Sequence, residues 1–234
     1  MHQLEQNLSR IRSDIDRFCD QYHRKDCSVN LVAVGKKHPV DKILALAAAG
    51  QCEFGENYLQ EAVEKIEFCR HTRQPSDPAL VWHFIGHIQS RKCKDIAAYF
   101  DWVHTIESYK VARKLSQHRS GDQLNVMIQV NIDNEESKSG VDPAELLPLA
   151  SEVATLPNLR LRGLMIIPKE ENEFSKQRRV FSQCRELLDA LNRDGLALDQ
   201  LSMGMTNDME AAIAEGATQV RIGTALFGPR PTSP

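Results

Sequence analysis

The chain has 234 residues, 41% of them hydrophobic and 26% charged, with a formal net charge of −3. These are the proportions of a globular protein, and they exclude a disordered chain, a collagen-like repeat and a coiled coil. The slightly acidic balance gives no electrostatic case for nucleic acid, and no apolar run approaches the roughly 18 residues of a membrane span.

Leu4, Leu8, Ile11, Ile15 and Phe18 recur at helical spacing and predict an amphipathic first helix. Its charges (Glu5, Arg10, Arg12, Asp14, Asp16) leave no apolar signal-peptide region, so a cytoplasmic protein is expected. The cysteines at 19, 27, 52, 69, 93 and 184 form no C-x-x-C pair and are expected to be free thiols. Val29-Asn30-Leu31-Val32-Ala33-Val34 reads as a buried strand ending at Gly35-Lys36-Lys37-His38-Pro39. A helix follows from Val40 and stops at Gly50. Further strand-like segments lie at 52–55, 81–85, 102–106, 124–132, 159–167, 198–202 and 219–222. Helical patterns alternate with them at 59–66, 92–99, 111–118, from Pro143, at 174–191 and from Asn207, where Asn207 and Glu210 suggest a capping box. The charge-dense stretch 169–179 reads as a solvated helix start.

Strand–helix alternation implies a parallel sheet. Eight such units over this length match one α/β domain, residues 1–234, folded as a (β/α)8 TIM barrel with an extra N-terminal helix. A doubly wound open sheet is the alternative.

In a barrel, chemistry sits at the C-terminal ends of the strands. The polar residues expected there are Lys36, Glu56, Asn57, His83, His87, His104, Asn131, Ser202, Arg221, Gly223 and Thr224. Gly223 and Thr224, opening a turn after the last strand, form with Ser202 and Gly204 a cup suited to a phosphate; tight turns alone would also explain the glycines. Lys36 closes an apolar strand, where desolvation favours the neutral amine that attacks carbonyls, unless it is simply solvated. Arg221 alternates with Val220 and Ile222 and needs an acceptor, either a carboxylate or a ligand's ring nitrogen. His83 and His87 have a spacing that binds metal on a helix, but here it falls on a strand, so no metal is expected. There is no dinucleotide fingerprint, Walker loop or G-x-S-x-G.

Seven ordered blocks carry a resemblance. They are Leu31 to Lys36, Phe54 to Glu61, Trp82 to Gly86, Ser137-Lys138-Ser139-Gly140, Arg162 to Met165, Leu201-Ser202-Met203-Gly204-Met205 and Arg221 to Gly228. Together they resemble the pyridoxal phosphate homeostasis proteins, single-barrel, fold-type III-like relatives of the alanine racemase N-terminal domain. The resemblance implies that Lys36 holds pyridoxal 5′-phosphate (PLP) as a Schiff base. It also implies that Ser202, Met203, Gly223 and Thr224 surround the phosphate, that Arg221 faces the pyridine nitrogen, and that Asn57 and His83 lie on the ring side. Lys138 matches a family lysine associated with cofactor hand-over. One departure is local: the family usually has Ser-Lys-Thr-Lys-Pro where this chain has Gly35-Lys36-Lys37-His38-Pro39, which puts any second amine in doubt.

An arginine at the pyridine nitrogen leaves that nitrogen unprotonated, and the ring is then a poor electron sink. The resemblance places a racemase's second base on a separate domain, and only Pro229 to Pro234 follow the last strand here. The expectation is a monomeric, non-catalytic PLP carrier with PLP-dependent apoenzymes as recipients. The alternative is a PLP-dependent racemase, or a Schiff-base aldolase with His83, His104 or Glu56 moving protons.

Overall fold

The apolar stripe of the first residues folds as one long helix. In the computed structural model, which describes residues 2–24, 29–133 and 139–229, α1 spans His2–Gln21. The alternation then runs β1 (Asn30–Val34), α2 (Val40–Ala48), β2 (Glu53–Glu56), α3 (Leu59–Thr72), β3 (Val81–Phe84), α4 (Cys93–Tyr99), β4 (Trp102–Ile106) and α5 (Tyr109–His118). It continues with β5 (Leu124–Gln129), α6 (Leu146–Ala154), β6 (Leu159–Met165), α7 (Phe174–Arg193), β7 (Gln200–Ser202), α8 (Met209–Ala214), β8 (Gln219–Ile222) and a short α9 (Thr224–Phe227).

The eight strands pair in parallel, in sequence order, and β8 returns to β1 with Leu31 opposite Val220. The sheet is therefore a closed barrel and not the open doubly wound alternative. Two apolar shells follow from strand alternation. Leu31, Ala33, Phe54, Phe84 and Val103 join the outer core under the helices. Val32 pairs with Arg221, and Gly55 with His83. These four share the inward face. Helix α1 buries Leu8, Ile11, Ile15 and Phe18 and packs against α2, α8 and α9.

Some predicted bounds shift. Strand β5 stops at Gln129 and not Ile132, leaving Val130 in an isolated bridge with Val141. Strand β6 ends at Met165 because Pro168 follows and the chain turns away. The Asn207–Glu210 capping box does not form: α8 begins at Met209, and the Asp208 carboxylate accepts from the Met205 N–H. Pro143 opens a single 3-10 turn, with the Asp142 side chain accepting from the Ala144 N–H at 2.8 Å, and α6 begins only at Leu146. At Gly163 an added Cβ would lie 1.8 Å from the Gln200 carbonyl, so only glycine lets β6 and β7 approach.

Cys52, Cys69, Cys93 and Cys184 are free thiols; Cys27 lies outside the described residues. Among the described residues no helix is long and apolar enough to cross a membrane.

Candidate functional site

The ends of the strands open onto a cavity of about 640 Å³. Val34, Lys36, Asn57, Ile85, Arg221, Gly223 and Thr224 form its inner wall. Ile167, Pro168, Glu170, Glu171, Met205, Thr206, Asn207, Asp208 and Ala225 complete it. Five of the eight predicted site residues thus meet in one cavity: Lys36, Asn57, Arg221, Gly223 and Thr224.

Lys36 leaves the barrel at the end of β1, and both peptide groups beside it are tied down. Lys65 reaches up from α3, only 6% exposed, and its ammonium donates to the Gly35 carbonyl at 2.8 Å, Glu56 Oε1 at 2.7 Å and Glu61 Oε1 at 2.6 Å. The same Glu61 oxygen accepts from the Lys37 N–H at 2.6 Å. Lys37 has φ 63°, a left-handed turn that aims the chain back toward α2. A Cβ at Gly35 would lie 2.7 Å from Ile43 Cδ1 and 2.8 Å from Glu56 Oε1, so glycine leaves room for these two side-chain ends beside the strand exit. Glu56 is fully buried, and burial pushes its carboxyl up to about 7 against the opposing pull of the Lys65 and Lys36 ammonium groups.

On the neighbouring strand β8, Arg221 is 5% exposed. It donates to Ser202 Oγ at 2.7 Å and to the Ile166 carbonyl at 2.9 Å. Burial lowers its pKa, and Asp208 on the cavity wall opposes that shift. It remains a cation at neutral pH. Burial likewise raises the Asp208 carboxyl.

The other three predicted residues do not line the cavity. Ser202 is fully buried, its hydroxyl held between Arg221 and His104 Nδ1 at 2.8 Å. His83 is buried inside the barrel, 2.9 Å from His104 and stacked on Trp102. Met203 packs in the outer core. Strand alternation is the reason: His83 and Ser202 are inward residues of β3 and β7 that end one layer below the mouth, and Met203, next after Ser202, points outward. The hydroxyl that β7 contributes to the cavity comes instead from Thr206, in the turn beyond Met205. Thr206 directly follows the Ser202-to-Met205 block, so a second hydroxyl was visible in the sequence; a mid-helix lysine such as Lys65 carried no such signal. His87 is exposed and faces Glu107 at 3.6 Å, away from His83. Among the described residues no cluster of three His, Cys, Asp or Glu side chains could hold a metal ion. Lys138 lies outside the described residues.

What the wall offers is a lysine amine, an arginine cation, two threonine hydroxyls and the Thr224 and Ala225 amides that open α9, the Leu226 and Phe227 amides being taken up by the Gly223 carbonyl. The buried Asn57 Oδ1 lacks a hydrogen-bond partner. This donor set can take a phosphorylated aromatic ring bearing a carbonyl.

The family profile for the alanine racemase N-terminal domain matches residues 6–231. The pyridoxal phosphate homeostasis protein of Vibrio cholerae is 47% identical over 233 residues, covering 98% of each chain. The structure of PipY from Synechococcus elongatus PCC7942 with PLP bound superposes with a TM-score of 0.83 at 34% identity, covering 97% of this chain and all of that one. An alanine racemase of Clostridium difficile shares the fold with a TM-score of 0.75 at 15% identity, the whole of this chain matching 61% of that protein. The chain belongs to the pyridoxal phosphate homeostasis proteins, within the alanine racemase N-terminal domain family.

Proposed function

We propose that this chain binds PLP in the barrel-mouth cavity and serves cytoplasmic PLP homeostasis, holding the cofactor through Lys36 and releasing it without catalytic turnover. The observation that carries the reading is the convergence of Lys36, Arg221, Gly223 and Thr224 on one cavity. When bound, PLP supplies an aldehyde that a lysine amine takes up reversibly. Lys36 is that amine. Thr206, Thr224 and the first-turn amides after Gly223 receive the phosphate, and Asn57 meets the ring edge. Arg221 donates toward the ring nitrogen. As a cation throughout the neutral range it offers that nitrogen no proton, so the ring stays a weak electron sink. Ser202 and His83 act from beneath, without touching the ligand.

The non-catalytic part rests on Arg221, whose guanidinium at the ring nitrogen leaves the ring a weak electron sink. PLP-dependent apoenzymes are the recipients in this reading, and the carrier acts as a monomer.

The test is the visible spectrum of the PLP-treated protein before and after borohydride, with peptide mapping of the added mass. Label on Lys36 that disappears in Lys36→Ala is expected. Label elsewhere only, or no uptake of PLP, would overturn the reading. Racemisation of L-alanine by the loaded protein would overturn its non-catalytic part.

A further inference from the structure

A continuous polar chain crosses the interior of the barrel below the cavity. It runs from Arg221 Nη1 to Ser202 Oγ at 2.7 Å, from Ser202 Oγ to His104 Nδ1 at 2.8 Å, and from His104 Nε2 to His83 Nδ1 at 2.9 Å. It ends where His83 Nε2 faces Glu53 Oε2 at 3.4 Å. His83, His104 and Ser202 are fully buried and Arg221 is 5% exposed. The spans of β2, β3, β4, β7 and β8 each contribute one member.

Chemistry at the two ends determines which way the protons point. Arginine has no acceptor atom, so Arg221 must donate, and Ser202 Oγ receives with a lone pair. His83 Nε2 and Glu53 Oε2 make no hydrogen bond, but a carboxylate oxygen 3.4 Å away favours a proton over a lone pair on Nε2. His83 Nδ1 is then an acceptor, His104 Nε2 the donor, and His104 Nδ1 the acceptor of the Ser202 hydroxyl's hydrogen bond. The opposite order would set the His83 lone pair against a carboxylate. It would also leave the Ser202 hydroxyl proton directed at neither of its partners. Burial, with His83 and the Arg221 cation adding to it, holds His104 well below its ordinary pKa, which keeps it neutral.

We infer that His104 and Ser202 are positioning residues for Arg221: the neutral, Nε2-protonated His104 accepts the hydrogen bond of the Ser202 hydroxyl, so the serine lone pair is locked toward the guanidinium and fixes its plane at the cavity wall. The Ile166 carbonyl anchors the second amino group of Arg221. The remaining guanidinium N–H groups are thereby aimed at the cavity, which selects a ligand whose ring nitrogen is an acceptor. This inference rests on the reading that Arg221 faces the ring nitrogen of PLP.

Two measurements test it. The first is long-range 1H–15N NMR of the histidine rings in the protein as purified and freed of cofactor. Protonated Nε2 and bare Nδ1 are expected on both His83 and His104; a proton on His104 Nδ1 overturns the inference. The second is binding of pyridoxine 5′-phosphate, which has the ring nitrogen and phosphate but no aldehyde. Ser202→Ala is expected to weaken it about five-fold, the loss typical of one hydrogen bond, with Ser202→Thr restoring it and inorganic phosphate binding unchanged. Equal affinity in Ser202→Ala and the unsubstituted chain overturns the inference. Should the unsubstituted chain take up no PLP while its histidines show the expected protons, the cofactor reading fails and the positioning of Arg221 stands.

Discussion

Glu56→Gln is expected to stabilise the protein at pH 8 and to leave it unchanged at acid pH. The folded-state carboxyl of Glu56 sits at about 7, against an ordinary value near 4.5, because burial outweighs the attraction of Lys65 and Lys36. Between those two values the folded chain holds a proton that the unfolded chain has lost. The contribution is therefore fully present below the unfolded value and is lost as pH rises through the folded one. At about 1.4 kcal/mol per tenfold, the displacement amounts to about 3 kcal/mol, of which roughly 2 kcal/mol falls between pH 5.5 and 8. Glutamine has the shape and neutrality of the protonated acid and still offers Lys65 an oxygen. Lys65 also keeps Glu61 and the Gly35 carbonyl. Urea unfolding followed by the fluorescence of the buried Trp82 at pH 5.5 and 8, for both chains, isolates this group by difference. A Glu56→Gln variant less stable than the parent at pH 8 would show that the ionised Glu56–Lys65 pair is net stabilising, and the burial argument would be wrong.

Four further substitutions or titrations probe other parts of the barrel. Lys65→Met leaves the Glu56 carboxyl without its nearest cation and releases the tether on the Gly35 carbonyl; a loss of about 3–5 kcal/mol is expected for stripping one partner from a buried ion pair, measured by the same unfolding at neutral pH. Gly163→Ala drives a methyl to 1.8 Å from the Gln200 backbone oxygen, so a loss of more than about 3 kcal/mol or failure to fold is expected in the same assay. Thiol titration of the native protein should modify Cys52 before the other described cysteines. Cys184 should resist until unfolding, since full burial pushes its thiol up to about 12. Arg162→Met removes a two-pronged pair with Asp199 at 2.7 and 2.6 Å, and the half-exposed Asp199 limits the loss in urea unfolding to about 1 kcal/mol. The Asp199 carboxyl lies below its ordinary value because of that arginine, so the contribution disappears as pH falls.

Local sequence pattern was enough to specify a parallel α/β fold of eight units, and the pairing of β8 with β1 decided for the closed barrel over the open sheet. Strand and helix periods alternate eight times, and a buried parallel strand such as Leu31 to Val34 has no stable alternative to helices on its outer face. The same pattern located Lys36, Asn57, Arg221, Gly223 and Thr224, because strand ends in a barrel converge on one mouth. Depth was settled by packing in three dimensions. Ser202 and Thr206 are hydroxyl residues four positions apart, yet one lies under the cavity and the other on its wall, since Ser202 ends β7 inside the barrel and Thr206 stands in the turn beyond it. Long-range pairing was equally hidden. Lys65 on a helix reads as a solvated face, and its contact with Gly35 thirty positions away exists only once α3 packs beside β1 and β2. The His83–His104–Ser202–Arg221 chain draws one residue from each of four strands, and one-dimensional spacing carries no trace of a line that closure of the barrel alone creates.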